Sequence, residues 1–252
     1  MSPVLHISDG DDHRLLRLDR PEKGNALSEA LVAELDAALT AAEAEDVPLL
    51  VLTGAGRHFC TGFDLDDLES LSDGDLLARF VRIEMLLDRL FRLSVPTLAV
   101  AQGRAMGAGA DLVVACRRRL LTEGASLAFP GVNFGLVLGT RRLGLRVGAG
   151  AAEEILTSGR RVEADEARAL GLAQEVLPEE ERAARIEREA ARAARLPGPV
   201  ARSLRDALDA DEAGSDGDLA RLVRSAVPAG LKERIAAYRA GLRKPAPQAT
   251  PA

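Results

Sequence analysis

Hydrophobic positions along the chain change period repeatedly, and each change predicts where a strand gives way to a helix. Residues 4–8 and 13–18 alternate apolar and polar side chains on either side of Asp9-Gly10-Asp11-Asp12, a turn signal, and read as a hairpin. From Ser28 the period lengthens: Leu31, Leu35, Leu39 and Ala42 recur near helical spacing, with Ser28 placed as N-cap and Glu29 favouring the positive helix end. Residues 49–52 are apolar throughout and stop at Thr53-Gly54-Ala55-Gly56, as in a strand covered on both faces. A longer helix is marked by Leu76, Leu77, Phe80, Val81, Met85, Leu87, Leu90 and Phe91, and residues 96–101 give the next buried strand. Strands at 119–121 and 126–129 then precede helical patterns at 143–156 and 163–170, so the elements follow a β-β-α order.

From Glu179 the character shifts to Glu, Arg and Ala through Arg195, followed by helical stretches at 200–208 and 231–242. This predicts an all-helical C-terminal region, with the charge-rich stretch reading as a solvated face of paired charges. Only the tail at 244–248 reads as frayed.

Composition narrows the classes. At 252 residues and 47% hydrophobic content the chain can bury a sizeable core. A net charge of −6 argues against general nucleic-acid binding, which needs a clustered basic surface. Cys60 and Cys116 are too few for a disulfide framework and sit in apolar settings, which favours reduced, buried thiols and a cytoplasmic location. The start of the chain turns acidic within ten residues, unlike a secretory signal. Residues 98–116 carry Gln102, Arg104 and Asp111 and are a poor membrane span.

Two glycine-containing turns carry the chemistry: residues 59–65, FCTGFDL, and residues 103–112, GRAMGAGADL. Each follows a buried strand and leads toward a helix, whose N-terminus offers unsatisfied N–H groups and partial positive charge. Two such ends facing one point would hold a developing oxyanion, although each turn alone reads equally as close packing. The second turn fails the GxGxxG dinucleotide pattern, with Leu112 where glycine is required, and neither turn ends as a phosphate-binding loop does. His6, His13 and His58 are scattered without metal-ligand spacing, and Cys60 lacks an evident histidine partner for nucleophilic work.

LRLDRPEKGNALSEALVAELDAAL, VLTGAGRHFCTGFDL and PTLAVAQGRAMGAGADLVVAC, in that order, resemble the enoyl-CoA hydratase/isomerase superfamily, the crotonases. The similarity continues through GRRVEADEARALGLAQEVLP to LKERIAAYRAGLRKP and so covers nearly the whole chain. It implies an α/β fold, a ClpP/crotonase-like spiral of ββα units over residues 1–195, with a helical region at 196–252 that assembles trimers or pairs of trimers. It also implies an acyl-CoA substrate whose thioester enolate is held by the main-chain N–H groups of Phe63 and Ala108, with no metal or redox cofactor. Lys23, Gly24 and Ala26 resemble the loop along the pantetheine and nucleotide. Thr61 and Gly62 complete the thioester-side wall, with Asp64 and Gly131 among the substrate contacts.

The pattern departs from hydratases of the family, which carry two glutamates to position water and move its protons. Asp111 stands at the first, one methylene shorter, and serves either catalysis or the helix itself. Gly131 stands at the second and transfers no proton. The approach to the next helix is shortened to Leu138-Gly139-Thr140-Arg141-Arg142-Leu143, which brings Arg141 or Arg142 near the pocket floor. Asp66 replaces a lysine found near the nucleotide in some relatives, and Arg104 serves either the coenzyme A phosphates or solvation of its turn. Asp64 reads foremost as a carboxylate at a helix start. Hydration or isomerisation of an enoyl-CoA is the first expectation. A binding protein or an altered chemistry, decarboxylation or hydrolysis, is the alternative that Gly131 raises, and a nicotinamide oxidoreductase lacks its fingerprint.

Overall fold

The computed structural model describes residues 3–196, 198, 200–201, 203–204 and 214–242. Strands β1 (Leu5–Asp9) and β2 (Arg14–Leu18) form the expected antiparallel hairpin, and β2 then pairs in parallel with β3 (Leu50–Gly54). Adding β4 (Thr97–Ala101), β6 (Arg118–Thr122) and β9 (Glu175–Leu177), all parallel, completes a six-stranded sheet of order β1-β2-β3-β4-β6-β9. A second sheet, β5-β7-β8, joins β5 (Arg104–Met106), β7 (Ser126–Ala128) and β8 (Arg161–Glu163). The spiral arises because β4 feeds the large sheet and β5 the small one, and β6 and β7 repeat the step.

Continuous apolar runs become central strands because both of their faces are covered. Leu50 and Leu52 of β3 pack with α1 (Glu29–Ala44), α2 (Asp73–Arg92) and α3 (Ala108–Ala115), while Val51 packs with Leu98, Val100, Leu120 and with Ile186 and Ala190 of α7 (Arg182–Ala194). Ser28 caps α1 by accepting from Leu31 N at 3.2 Å, and Ser72 opens α2 with a capping box to Asp75.

The helix expected over 143–156 is two, α4 (Thr140–Val147) and α5 (Ala149–Ser158), separated at Gly148. Helix α6 (Ala164–Ala169) follows the small sheet. Three elements had no hydropathy signature: β5 inside the second glycine turn, and β8 and β9, whose three residues are too few to show alternation. Helix α8 (Gly214–Ala226) was also unanticipated, because its first turn of Gly and Asp hides the apolar period. The tail at 244–248 lies outside the described residues, as does most of the helical stretch expected at 200–208.

Helix α9 (Leu231–Leu242) is anchored by a carboxylate far away in sequence. Asp73, at the start of α2, accepts from Gly230 N at 2.9 Å and Lys232 N at 2.8 Å and so caps α9. Leu222, Leu231 and Ile235 share a core with Leu68, Leu76, Phe80 and Leu136, which brings α9 over the end of α2.

The loop at 20–26 is fastened by Asn25, which is fully buried in left-handed backbone at φ 56°. Its amide donates to the carbonyls of Ala55 and His58 at 2.9 and 2.8 Å, and its Oδ1 accepts from Arg20 N at 2.9 Å. Replacing Asn25 with Ala leaves those groups unpaired. The expected loss is about 1–3 kcal/mol per buried group left unsatisfied, read as a lowered urea midpoint. An unchanged midpoint would contradict this role.

Candidate active site

The two glycine turns meet because backbone pairing zips them together. Phe59 N donates to Gln102 O at 2.9 Å, Cys60 N to Arg104 O at 3.2 Å, and Met106 N to Cys60 O at 2.9 Å, so residues 59–60 run alongside β5. On the other side Leu27 N donates to Gly62 O at 2.7 Å and Asp64 N to Leu27 O at 3.2 Å. This pairing passes over Phe63, whose N–H has no hydrogen-bond partner among the described residues. Ala108 is the first residue of α3, and its N–H is likewise unpartnered among the described residues.

These amides are close neighbours. Gly62 adopts φ 94°, and a β-carbon there would fall 2.6 Å from the Met106 carbonyl oxygen and 3.7 Å from Ala108 N. Only glycine tolerates both the backbone angle and the approach. Phe63 and Ala108 line one cavity of about 200 Å³, together with Thr61, Asp111 and Gly131.

The expectation of two helix ends is half corrected. Ala108 starts a helix, but Phe63 does not: a 3-10 turn at Leu68–Ser70 follows it, and α2 begins only at Asp73. Asp64 accordingly stands at no helix start. Its carboxylate pairs with Arg20 at 2.7 Å and accepts from Asp66 N at 3.1 Å, which turns the chain locally. The helix dipole therefore favours charge at one amide only.

The remaining wall is apolar. Phe63 stacks on Phe80 with ring centroids 4.6 Å apart, and Phe129, Val132, Leu136 and Leu138 extend the lining. Tyr238 of α9, the one tyrosine of the chain, reaches the same cavity beside Phe134 at 5.3 Å, a contribution the hydropathy pattern did not reveal. Thr61 ties to the preceding loop by donating its hydroxyl to Gly24 O at 3.2 Å and its N–H to the same oxygen at 2.9 Å. Lys23, Gly24, Ala26, Gly62 and Asp64 belong to the adjoining segments and do not line the cavity. Lys23 pairs with Asp66 at 2.7 Å, so the acid at 66 is matched by a lysine from the other loop.

Asp111 is the single acid in the cavity wall and is 3% exposed. Its Oδ1 has no hydrogen-bond partner among the described residues. Burial pushes its carboxyl well above the usual carboxylate range; the charge of Arg142 opposes that shift and Glu84 adds to it. Arg142 thus lies close behind the site, as the shortened loop implied, whereas Arg141 turns to Asp218 at 2.8 Å. Glu84 lies outside both glycine turns, but its place in α2 among buried Phe80, Ile83 and Leu87 makes it an inward-facing charge; it does not line the cavity. Gly131 lines the cavity in the 3-10 turn Pro130–Phe134 and brings no side chain to it.

Both cysteines are buried and free, and burial pushes each thiol up to about 12. Neither is expected to react with a disulfide reagent at pH 8 until denaturant is added, when both should. Rapid labelling of the native protein would contradict this.

The family model for enoyl-CoA hydratase/isomerase matches residues 14–221. A Bacillus subtilis protein, YngF, named for that family, is 34% identical over 222 residues, 86% of this chain and 84% of its own. An ethylmalonyl-CoA decarboxylase of Gallus gallus is 34% identical over 170 residues, 65% of this chain and 56% of its own. Among solved structures, a Bordetella parapertussis protein described under the hydratase/isomerase name superposes with TM-score 0.91 at 45% identity, covering 97% of this chain and 100% of that one.

Proposed function

Because this chain belongs to the enoyl-CoA hydratase/isomerase family, we propose that it binds an acyl-CoA thioester with its carbonyl oxygen between the amides of Phe63 and Ala108, and that Asp111 moves the proton. The observation that carries this reading is the pair of N–H groups, unpartnered among the described residues, beside a buried carboxyl in a largely apolar cavity. Each such donor stabilises an oxyanion by about 3 kcal/mol.

One carboxylate suits isomerisation better than hydration. As Asp111 takes a proton from Cα of a 3-enoyl thioester, the electrons move into the carbonyl to form a dienolate held by the two amides. Return of that proton to Cγ restores the thioester with its double bond conjugated, and Asp111 ends as it began. Hydration needs water activated on one side and Cα protonated, and Gly131 supplies no second group. The raised basicity of Asp111 strengthens its ionised form as a proton acceptor.

A second reading rests on the same burial. A protonated Asp111 would not repel a carboxylated acyl group in this cavity; after the C–C bond breaks and CO2 departs, the enolate would take the Asp111 proton. The Gallus gallus relative carries a decarboxylase name, which supports this reading.

We propose further that the chain assembles as trimers or pairs of trimers through residues 196–252 and works in the cytoplasm. No helix among the described residues is long and apolar enough to cross a membrane. The steps above draw only on amides and a carboxyl, so coenzyme A enters as part of the substrate and no metal or redox group takes part.

Supplying a short 3-enoyl-CoA should produce the absorbance of a conjugated enoyl thioester. Asp111→Asn is expected to lower that rate by roughly 10²–10⁴ while the fold is retained. Because the base form appears only above a raised midpoint, kcat/KM should climb with pH to a plateau, with its inflection above the ordinary carboxylate range. Turnover untouched by Asp111→Asn would remove Asp111 from the mechanism. Tight acyl-CoA binding without turnover of enoyl or carboxylated thioesters would mark a binding protein instead.

A further inference from the structure

Behind the cavity wall lies a cluster of charges that the proposed steps do not use. Arg142, in the first turn of α4, is fully buried. Its Nη2 donates to Glu84 Oε2 of α2 at 2.6 Å, and its Nη1 lies 3.5 Å from Asp218 Oδ2 of α8. Arg141 holds the same Asp218 oxygen from Nε at 2.8 Å, and Arg221 pairs with Asp218 from within α8. Three helices are therefore joined through one guanidinium, and α3, which carries Asp111, packs against both α2 and α4.

The start of α4 is pressed directly on the carboxyl. Gly139 precedes α4 at φ 68°, and a β-carbon there would collide with Asp111 Oδ1. Asp111 Oδ1 and the Arg142 atoms Nε and Nη1 are all buried without hydrogen-bond partners among the described residues. An arginine at this depth has a high desolvation cost, offset only where acids hold it in place. Glu84 and Asp218 supply that hold, and leave part of the guanidinium charge to act on the neighbouring carboxyl.

We propose that Arg142 is the positioning residue of this site: clamped between Glu84 and Asp218, it fixes the start of α4 against Asp111 and governs the protonation of that carboxyl through its charge. The inference rests on Asp111 being the proton carrier of the proposed function. Glu84 works in opposition, since its negative charge favours the protonated form of Asp111. The charged groups acting on Asp111 are Arg142 on α4 and Glu84 on α2, and Asp88, one turn on in α2, acts with Asp218 on Glu84. Asp218 on α8, held by Arg141 and Arg221, stands behind Arg142. Asp111 is the single charged residue of α3.

Opposite shifts separate a field from mere packing. The Asp111 carboxyl can be titrated in the resting protein by carbon-13 NMR of labelled aspartate, its signal identified by its loss in Asp111→Asn. No substrate is needed, so a failed activity assay and a failed positioning role are told apart. Arg142→Met is expected to move the Asp111 midpoint up by about one pH unit, and Glu84→Gln to move it down by a similar amount, the scale of one nearby charge. Arg142→Lys, which keeps the charge, should stay near wild type. Where the wild type is active, the pH profile of kcat/KM should shift in the same directions. If Arg142→Met does not fold, Glu84→Gln alone decides, because Arg142 keeps Asp218 as its partner. Midpoints unmoved by Glu84→Gln, or moved in one direction by both variants, would overturn the assignment.

Discussion

The structure depends on how closely one stretch of backbone approaches another. Residues 59–62 lie against β5 and the first turn of α3, and the carbonyl of Met106 occupies the space where residue 62 would carry a side chain. Backbone N–H groups are normally paired, and orphaned buried ones are rare. Here the pairing that zips the two turns together leaves the N–H groups of Phe63 and Ala108, which line one cavity, without a partner among the described residues. That arrangement is indifferent to the side chains at 63 and 108. It accommodates a phenylalanine at 63 whose ring serves the apolar wall by stacking on Phe80.

The second constraint is the desolvation of Asp111. A carboxyl closed off from water and lacking a partner for Oδ1 resists ionisation. The fold balances this with an arginine charge behind the wall and moderates that charge with Glu84 and Asp218. Helix α9 then completes the apolar end with Ile235 and Tyr238, locked over the cavity by the cap from Asp73.

Much of this was legible in the residues. The buried strands, the capped helix after Ser28, the hairpin and the glycine turns follow from period and turn chemistry, and the motif order identified the family. The site residues that line the cavity, Thr61, Phe63, Ala108, Asp111 and Gly131, lie within or near those turns. What escaped was set by long-range contact. β5, β8 and β9 are three residues each and exist through their ladders, so no local pattern marks them. Asp64 looked like a helix-start carboxylate, yet Arg20, 44 positions earlier, claims it. Glu84, Arg142 and Asp218 come from three helices, and their meeting is a property of packing and not of spacing. Tyr238 and Asp73 serve the site through α9, whose docking no motif encodes.

The account turns on whether the amides of Phe63 and Ala108 polarise a thioester carbonyl. Isotope-edited Raman difference spectroscopy of a bound, unreactive acyl-CoA carrying carbon-13 at its carbonyl reads that directly. The carbonyl stretch should fall to lower frequency on binding than in water, and the shift should persist in Asp111→Asn because the donors are main-chain groups. A bound carbonyl vibrating as it does in solution would contradict the central claim.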